Sequence, residues 1–137
     1  MRNPSDLIQR TKTFAVDVVR VTQELPRTRS GATLGDQLLR CGTSVGANYR
    51  AARRARSRRE FIAKLGIVEE EADEAIFWLD LLSESGMLSA ERVTPLRREA
   101  NELLSIVIAS IRTARLARPS VPHSAFRVPR SPVRNPQ

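Results

Sequence analysis

Apolar residues step along this chain by fours and threes in four separate stretches, a spacing that suits helices sharing one core. The first stretch carries Leu7, Thr11, Phe14, Val18, Val21 and Leu25; the second Leu34, Leu38, Cys41, Val45, Asn48, Ala52 and Ala55. The third runs Phe61, Leu65, Val68, Ala72, Ala75, Leu79 and Leu82, and the fourth Leu96, Ala100, Leu103, Val107, Ser110 and Ala114. Each set keeps one stripe of a helix facing its neighbours, as a bundle core requires. Pro26 through Gly31, Gly86 and Pro119 break the pattern between and after these stretches. Short connections between long helices force antiparallel neighbours. The expected fold is therefore all-α, an up-down-up-down four-helix bundle over residues 1–118. Residues 119–137 hold five of the eight prolines, three arginines and no acid, a composition that predicts a disordered Arg/Pro-rich tail.

Capping signals support this division. Asn3-Pro4 sets an N-cap before a proline at the first helical position. Thr33, with Asp36 three residues on, is read as the second helix start. Ser57-Arg58-Arg59-Glu60 forms a capping box, so one helix ends before Ser57 and another begins there. The fourth helix has two candidate starts, Ser89 and Thr94-Pro95. The first would place Pro95 inside the helix, where proline costs several kcal/mol unless the helix kinks.

Composition narrows the class further. Hydrophobic residues make up 41% of the chain, enough for a core, whereas aromatics are only 4%. A single cysteine, Cys41, allows no internal disulfide and no cysteine cluster for zinc, and is read as a small core hydrophobe. The opening MRNPSDLIQR has no apolar signal core, and the apolar run Leu103 to Ile111 is broken by Ser105 and Ser110. That run is far short of a membrane span, so a cytoplasmic location is expected. Catalysis has little support. The lone histidine, His123, lies in the tail, and there is no Gly-rich phosphate loop, nucleophile–histidine pairing or metal-ligand spacing. No enzyme activity, cofactor or metal is expected.

The net charge of +8 hides a strong asymmetry. An up-down-up-down path brings residues 1–13, 47–65 and 109–118 to one end of the rod. That end holds thirteen Lys and Arg against Asp6 and Glu60, a net of +11, and leaves the rest of the bundle acidic. The candidate nucleic-acid-binding residues are Arg50, Arg53, Arg54, Arg56, Arg58, Arg59, Lys64, Arg112 and Arg115. The guanidinium donates two parallel hydrogen bonds to a phosphate, which suits arginine to this task. An Arg-rich composition also follows from a GC-rich genome, so the position of the charges carries the argument. The acidic run Glu69, Glu70, Glu71, Asp73 and Glu74 is expected opposite Arg40 rather than opposite the arginines, as a solvated face. Arg58 and Arg59 lie at the positive end of the third helix, locally unfavourable, which points to an anionic partner.

Three further features stand out. Asn48 falls on the core stripe, either as a polar residue fixing helix register or as a ligand contact. Gly35, Gly42 and Gly46 form a small-residue face that admits a close helix, within the bundle or across a subunit interface. Phe77, Trp78 and Leu81 lie beside the core stripe of the third helix and make it apolar on most of its circumference. A helix of that kind is buried on more than one side, which marks these three as a candidate oligomer interface.

Thr43 to Arg50, then Ala55 to Ile62, then Glu71-Ala72-Asp73-Glu74 and Trp78-Leu79 resemble a bacterial four-helix-bundle family. It is named for proteins encoded in intervening sequences of 23S ribosomal RNA genes. The accessory variability proteins of diversity-generating retroelements are similar. The resemblance covers roughly residues 5 to 117 and leaves out the tail. It implies an antiparallel bundle assembling into a homopentameric ring with a basic surface suspected of binding nucleic acid; in the retroelement members the ring partners a reverse transcriptase. The family often has Glu near the position of Ala51, and that acid is missing here.

Together these readings lead to a non-catalytic homo-oligomer binding nucleic acid, RNA rather than DNA, through its Arg-rich end and without sequence preference. The alternative is a structural adaptor that holds a partner protein, such as a reverse transcriptase or another protein with an acidic surface. Gene neighbourhood would separate the two.

Overall fold

A computed structural model describes residues 4–117, which form four helices: α1 (Pro4–Thr22), α2 (Arg29–Arg53), α3 (Arg58–Glu84) and α4 (Ala90–Leu116). No strand occurs among the described residues. The tail assigned to residues 119–137 and the Asn3 cap lie outside them. At 1.5 Å per residue the 27-residue α3 and α4 are roughly 40 Å long.

Side-chain chemistry sets each helix end. Thr28 caps α2, its Oγ1 accepting from the Gly31 N–H at 3.1 Å. The Thr33 start expected from the sequence is thus one turn late; Thr33 instead bonds back to the Arg29 carbonyl at 2.9 Å. The earlier start needs a glycine in the first turn, because a Cβ on Gly31 would meet the Pro26 carbonyl at 2.2 Å. Ser89 caps α4, accepting from the Arg92 N–H at 3.3 Å. Of the two candidate starts it is the earlier one, and Pro95 sits inside the helix. After α3 the chain turns at Gly86, whose φ of +78° is a conformation that glycine adopts without steric cost.

Neighbouring helices run antiparallel. Thr11 of α1 faces Gly46 of α2, and Leu25 faces Gly35. The small-residue face of α2 therefore serves the bundle interior, where it lets α1 approach closely. Consecutive helices pack most extensively, and α1 touches α4 much less than it touches α2. Ion pairs span that thinner seam, Arg10 with Glu99 and Glu102, and Arg92 with Glu24.

One continuous core runs through the bundle. All seven positions of the α3 stripe are buried. In α2 the stripe departs from expectation at two places: Leu34 is half-buried beside buried Gly35, and Tyr49 is buried while Asn48 is half-buried with its amide donating to the Ser44 carbonyl at 2.9 Å. In α4 the same displacement puts Ile111 in the core in place of Ser110, whose hydroxyl bonds to the Ile106 carbonyl. No described helix is long and apolar enough to cross a membrane.

Candidate nucleic-acid interface

The α2–α3 turn is short because both helix ends are capped within it. The Arg54 N–H donates to the Ala51 carbonyl and the Ala55 N–H to the Ala52 carbonyl, while the Ala55 side chain is buried. Ser57 Oγ accepts from the Glu60 N–H at 3.0 Å. The Glu60 carboxylate reaches back to the Arg56 N–H at 2.9 Å, one residue beyond the usual capping-box partner. The one acid inside the cluster is thereby engaged with backbone.

This turn presents Arg50, Arg54, Arg56 and Arg59 to solvent, with Arg53, Arg58 and Lys64 half-buried. Arg58 Nη1 donates to the carbonyl of Ala117, the C-cap of α4. That bond satisfies a carbonyl with no partner within its own helix, and it ties the end of α4 to the turn. Arg112 and Arg115, both exposed on the last turns of α4, are thus held at the same end as the other arginines. Tyr49 and Phe61 lie beneath this surface, 5% and 9% exposed. Burial raises the Tyr49 hydroxyl pKa against a smaller opposing effect of Arg53.

Ion pairing separates two groups of arginines, while Arg27, Arg29 and Arg98, outside the basic end, form no ion pair among the described residues. Arg10, Arg20, Arg40, Arg92 and Arg97 each reach a carboxylate. None of the nine candidate cationic residues at the turn and the end of α4 forms an ion pair among the described residues. The acidic run lies opposite Arg40 as expected, but only Glu70 and Asp73 are exposed, with Glu69, Glu71 and Glu74 half-buried. Glu71 and Glu74 both meet Arg40, with Arg40 Nη1 3.2 Å from Glu71 Oε2. The hydrogen bond to Glu74 raises the Arg40 pKa and lowers that of Glu74. The charge map needs one correction: Arg10, counted with the basic end, turns to Glu99 and Glu102 across the α1–α4 seam. Its alignment with those acids follows from helix register, which the sequence stripe leaves open by about a turn.

Helix dipoles account for part of the cluster. Arg50, Arg53 and Arg115 sit at helix C-termini, where cations are favourable. Arg58 and Arg59 occupy the first turn of α3, where they are not.

Farther along α3, the Phe77 ring is 58% exposed and packs edge-on against Trp78, with ring centroids 5.0 Å apart. Trp78 is half-buried against the core and donates from Nε1 to Glu74 at 3.2 Å. Leu81, one turn on, is also half-buried. Cys41 is fully buried, and burial pushes its thiol up to about 12, so it is no nucleophile near neutral pH. Among the described residues no three His, Cys, Asp or Glu side chains converge as metal ligands would.

Comparison with known proteins agrees with this architecture. Residues 4–109 match the family model described as 23S rRNA-intervening sequence protein. Among solved structures, the chain is similar to a protein of unknown function from the S23 ribosomal protein family of Bacteroides thetaiotaomicron VPI-5482. The two share 33% identity and a TM-score of 0.73, over 77% of this chain and 97% of that one. No curated protein matches.

Proposed function

The chain belongs to the 23S rRNA-intervening sequence protein family, and we propose that it is a non-catalytic homo-oligomer that binds nucleic acid through its Arg-rich end. The observation that carries this reading is the set of cationic side chains around the α2–α3 turn and the end of α4 that form no ion pair among the described residues. Elsewhere Arg10, Arg40, Arg92 and Arg97 each reach an acid on another segment of the bundle. Unpaired guanidinium groups on a rigid surface suit phosphates, whose binding releases condensed counterions. Nothing about such an arrangement reads base edges, so binding is independent of sequence. RNA is preferred to DNA because the family's name links it to ribosomal RNA. The natural setting for such a protein is the cytoplasm.

Purification of the full chain with and without nuclease, followed by RNA titrations at several salt concentrations, tests the reading. Expected are co-purifying nucleic acid and affinity that falls steeply with salt, the log–log slope being about −0.7 per single-strand phosphate neutralised. Affinity absent at low salt, or indifferent to salt, overturns it.

A second reading, a structural adaptor that presents a partner protein such as a reverse transcriptase, is favoured by exposed Phe77 beside Trp78 and Leu81. The same surface supports self-association, and five copies follow from the family resemblance. The two readings separate on whether nucleic acid or a protein co-purifies.

A further inference from the structure

We infer that the Arg-rich end grips double-helical nucleic acid in preference to a single strand, an inference that rests on the nucleic-acid reading above. Proteins that hold single strands pair a cationic groove with exposed aromatic side chains on which successive bases stack. This end offers no such platform among the described residues. Its two aromatic rings, Tyr49 and Phe61, are 5% and 9% exposed and belong to the core. The exposed ring, Phe77, lies nineteen residues along α3 from Arg58, roughly 28 Å away at 1.5 Å per residue. A base stacked on Phe77 could not belong to a nucleotide whose phosphate meets the turn.

The layout of the cations points the same way. They come from three helix ends: Arg50 and Arg54 at the end of α2, Arg59 at the start of α3, and Arg112 and Arg115 at the end of α4. The Arg58 bond to the Ala117 carbonyl fixes the α4 end against the turn. The result is a broad, rigid cationic surface rather than a single-file track. A duplex keeps its bases stacked internally and presents phosphates of both strands, about one charge per 1.7 Å of axis. Such a target is met by backbone contact and shape alone.

The test uses the full chain, so that Phe126, outside the described residues, has its chance to stack. Fluorescence polarisation would compare a labelled 20-nucleotide RNA without self-complementarity, its duplex, and the matching single- and double-stranded DNA, at about 0.1 M salt. Expected is at least about tenfold tighter binding to duplex than to single strand, with a steeper salt slope for the duplex. The RNA and DNA duplex arms assign the helical form: preference for the RNA duplex means A-form geometry is recognised, and equal binding means charge density alone is. Single strands bound as tightly as duplexes overturn the duplex inference and leave the nucleic-acid reading standing. Failure to bind any of the four overturns that reading itself.

Discussion

Gly42 on α2 lies so close to Val18 on α1 that a Cβ added to it would come within 2.8 Å of both Val18 methyl groups. Val18 is fully buried and β-branched, so its side chain has little rotamer freedom in a helix. The α1–α2 seam is thus built on the absence of a side chain at this position.

Gly42→Ala and Gly66→Ala should consequently shift stability in opposite directions. Alanine favours a helix interior by about 0.8–1 kcal/mol over glycine. At Gly66, where an added Cβ meets nothing within 4 Å, that gain stands and the thermal midpoint should rise. At Gly42 overpacking against Val18 costs about 1–3 kcal/mol, exceeding the gain, and the midpoint should fall. Thermal melts of both variants decide it. A Gly42→Ala protein as stable as the Gly66→Ala one would mean that α1 gives way freely.

The stripes show how far the sequence determines this core and where it drifts. Steps of four and three average 3.5 residues, whereas a straight helix turns in 3.6, so a strict alternation lags behind the core face. Every α3 position tolerates the lag. In α2 and α4 the buried face moves one residue onward, from Asn48 to Tyr49 and from Ser110 to Ile111. An aromatic next to an asparagine, and an isoleucine next to a serine, were the available signals. The Arg cluster could be placed from topology because six of its members lie within residues 50–59 and move as one. Arg10 could not, since its pairing with Glu99 and Glu102 depends on the relative register of α1 and α4, with Arg10 and Glu99 89 residues apart in sequence.

Acid should weaken the α2–α3 seam through Glu74, and act in the same direction through Glu24 opposite Arg92. The Arg40 hydrogen bond holds the Glu74 pKa below the ordinary carboxylate value, as the Arg92 bond does for Glu24. A depressed folded-state pKa gives stability that is present above the unfolded value and lost as pH falls through the folded one. Wild type should therefore melt lower at pH 3 than at pH 7, modestly, because these pairs are solvent-screened. Glu74→Gln should melt slightly lower than wild type at pH 7 and lose less on acidification. An unchanged pH dependence in that variant would remove the Arg40–Glu74 pair from the account.

Phe77→Ser should act on assembly more than on folding. With 58% of its surface exposed, Phe77 contributes little to the core of a single copy. If α3 packs against another copy there, a buried serine hydroxyl replaces a buried ring, and the oligomer weakens. Light scattering should give a multimer of the 15.3 kDa chain for wild type, five copies by the family resemblance, and a smaller species for the variant. Circular dichroism should show unchanged helicity. A wild-type chain that scatters as a monomer at micromolar concentration would sink the proposal.

The cationic end is best tested at the arginines that no structural bond requires. Arg58 holds the Ala117 carbonyl and Arg53 is half-buried beside Tyr49, so replacing either confounds binding with folding. Arg54, Arg56 and Arg59 are exposed and free of ion pairs among the described residues. Changing all three to Gln should leave the thermal midpoint equal or slightly raised, because mutual repulsion falls and α3 loses one unfavourable charge in its first turn. Binding should weaken for all sequences alike. The log–log salt slope should flatten by about 0.7 for each phosphate no longer neutralised on a single strand, and by about 0.9 on a DNA duplex. Arg92 and Arg97 would be poor controls, since Arg92 pairs with Glu24 in the α1–α2 connection and Arg97 with Asp80 of α3. Arg27 and Arg98, exposed and outside the basic end, serve instead, and their double Gln variant should keep the wild-type slope. If the triple variant also kept that slope, the phosphates would be held elsewhere, and the adaptor reading would take precedence.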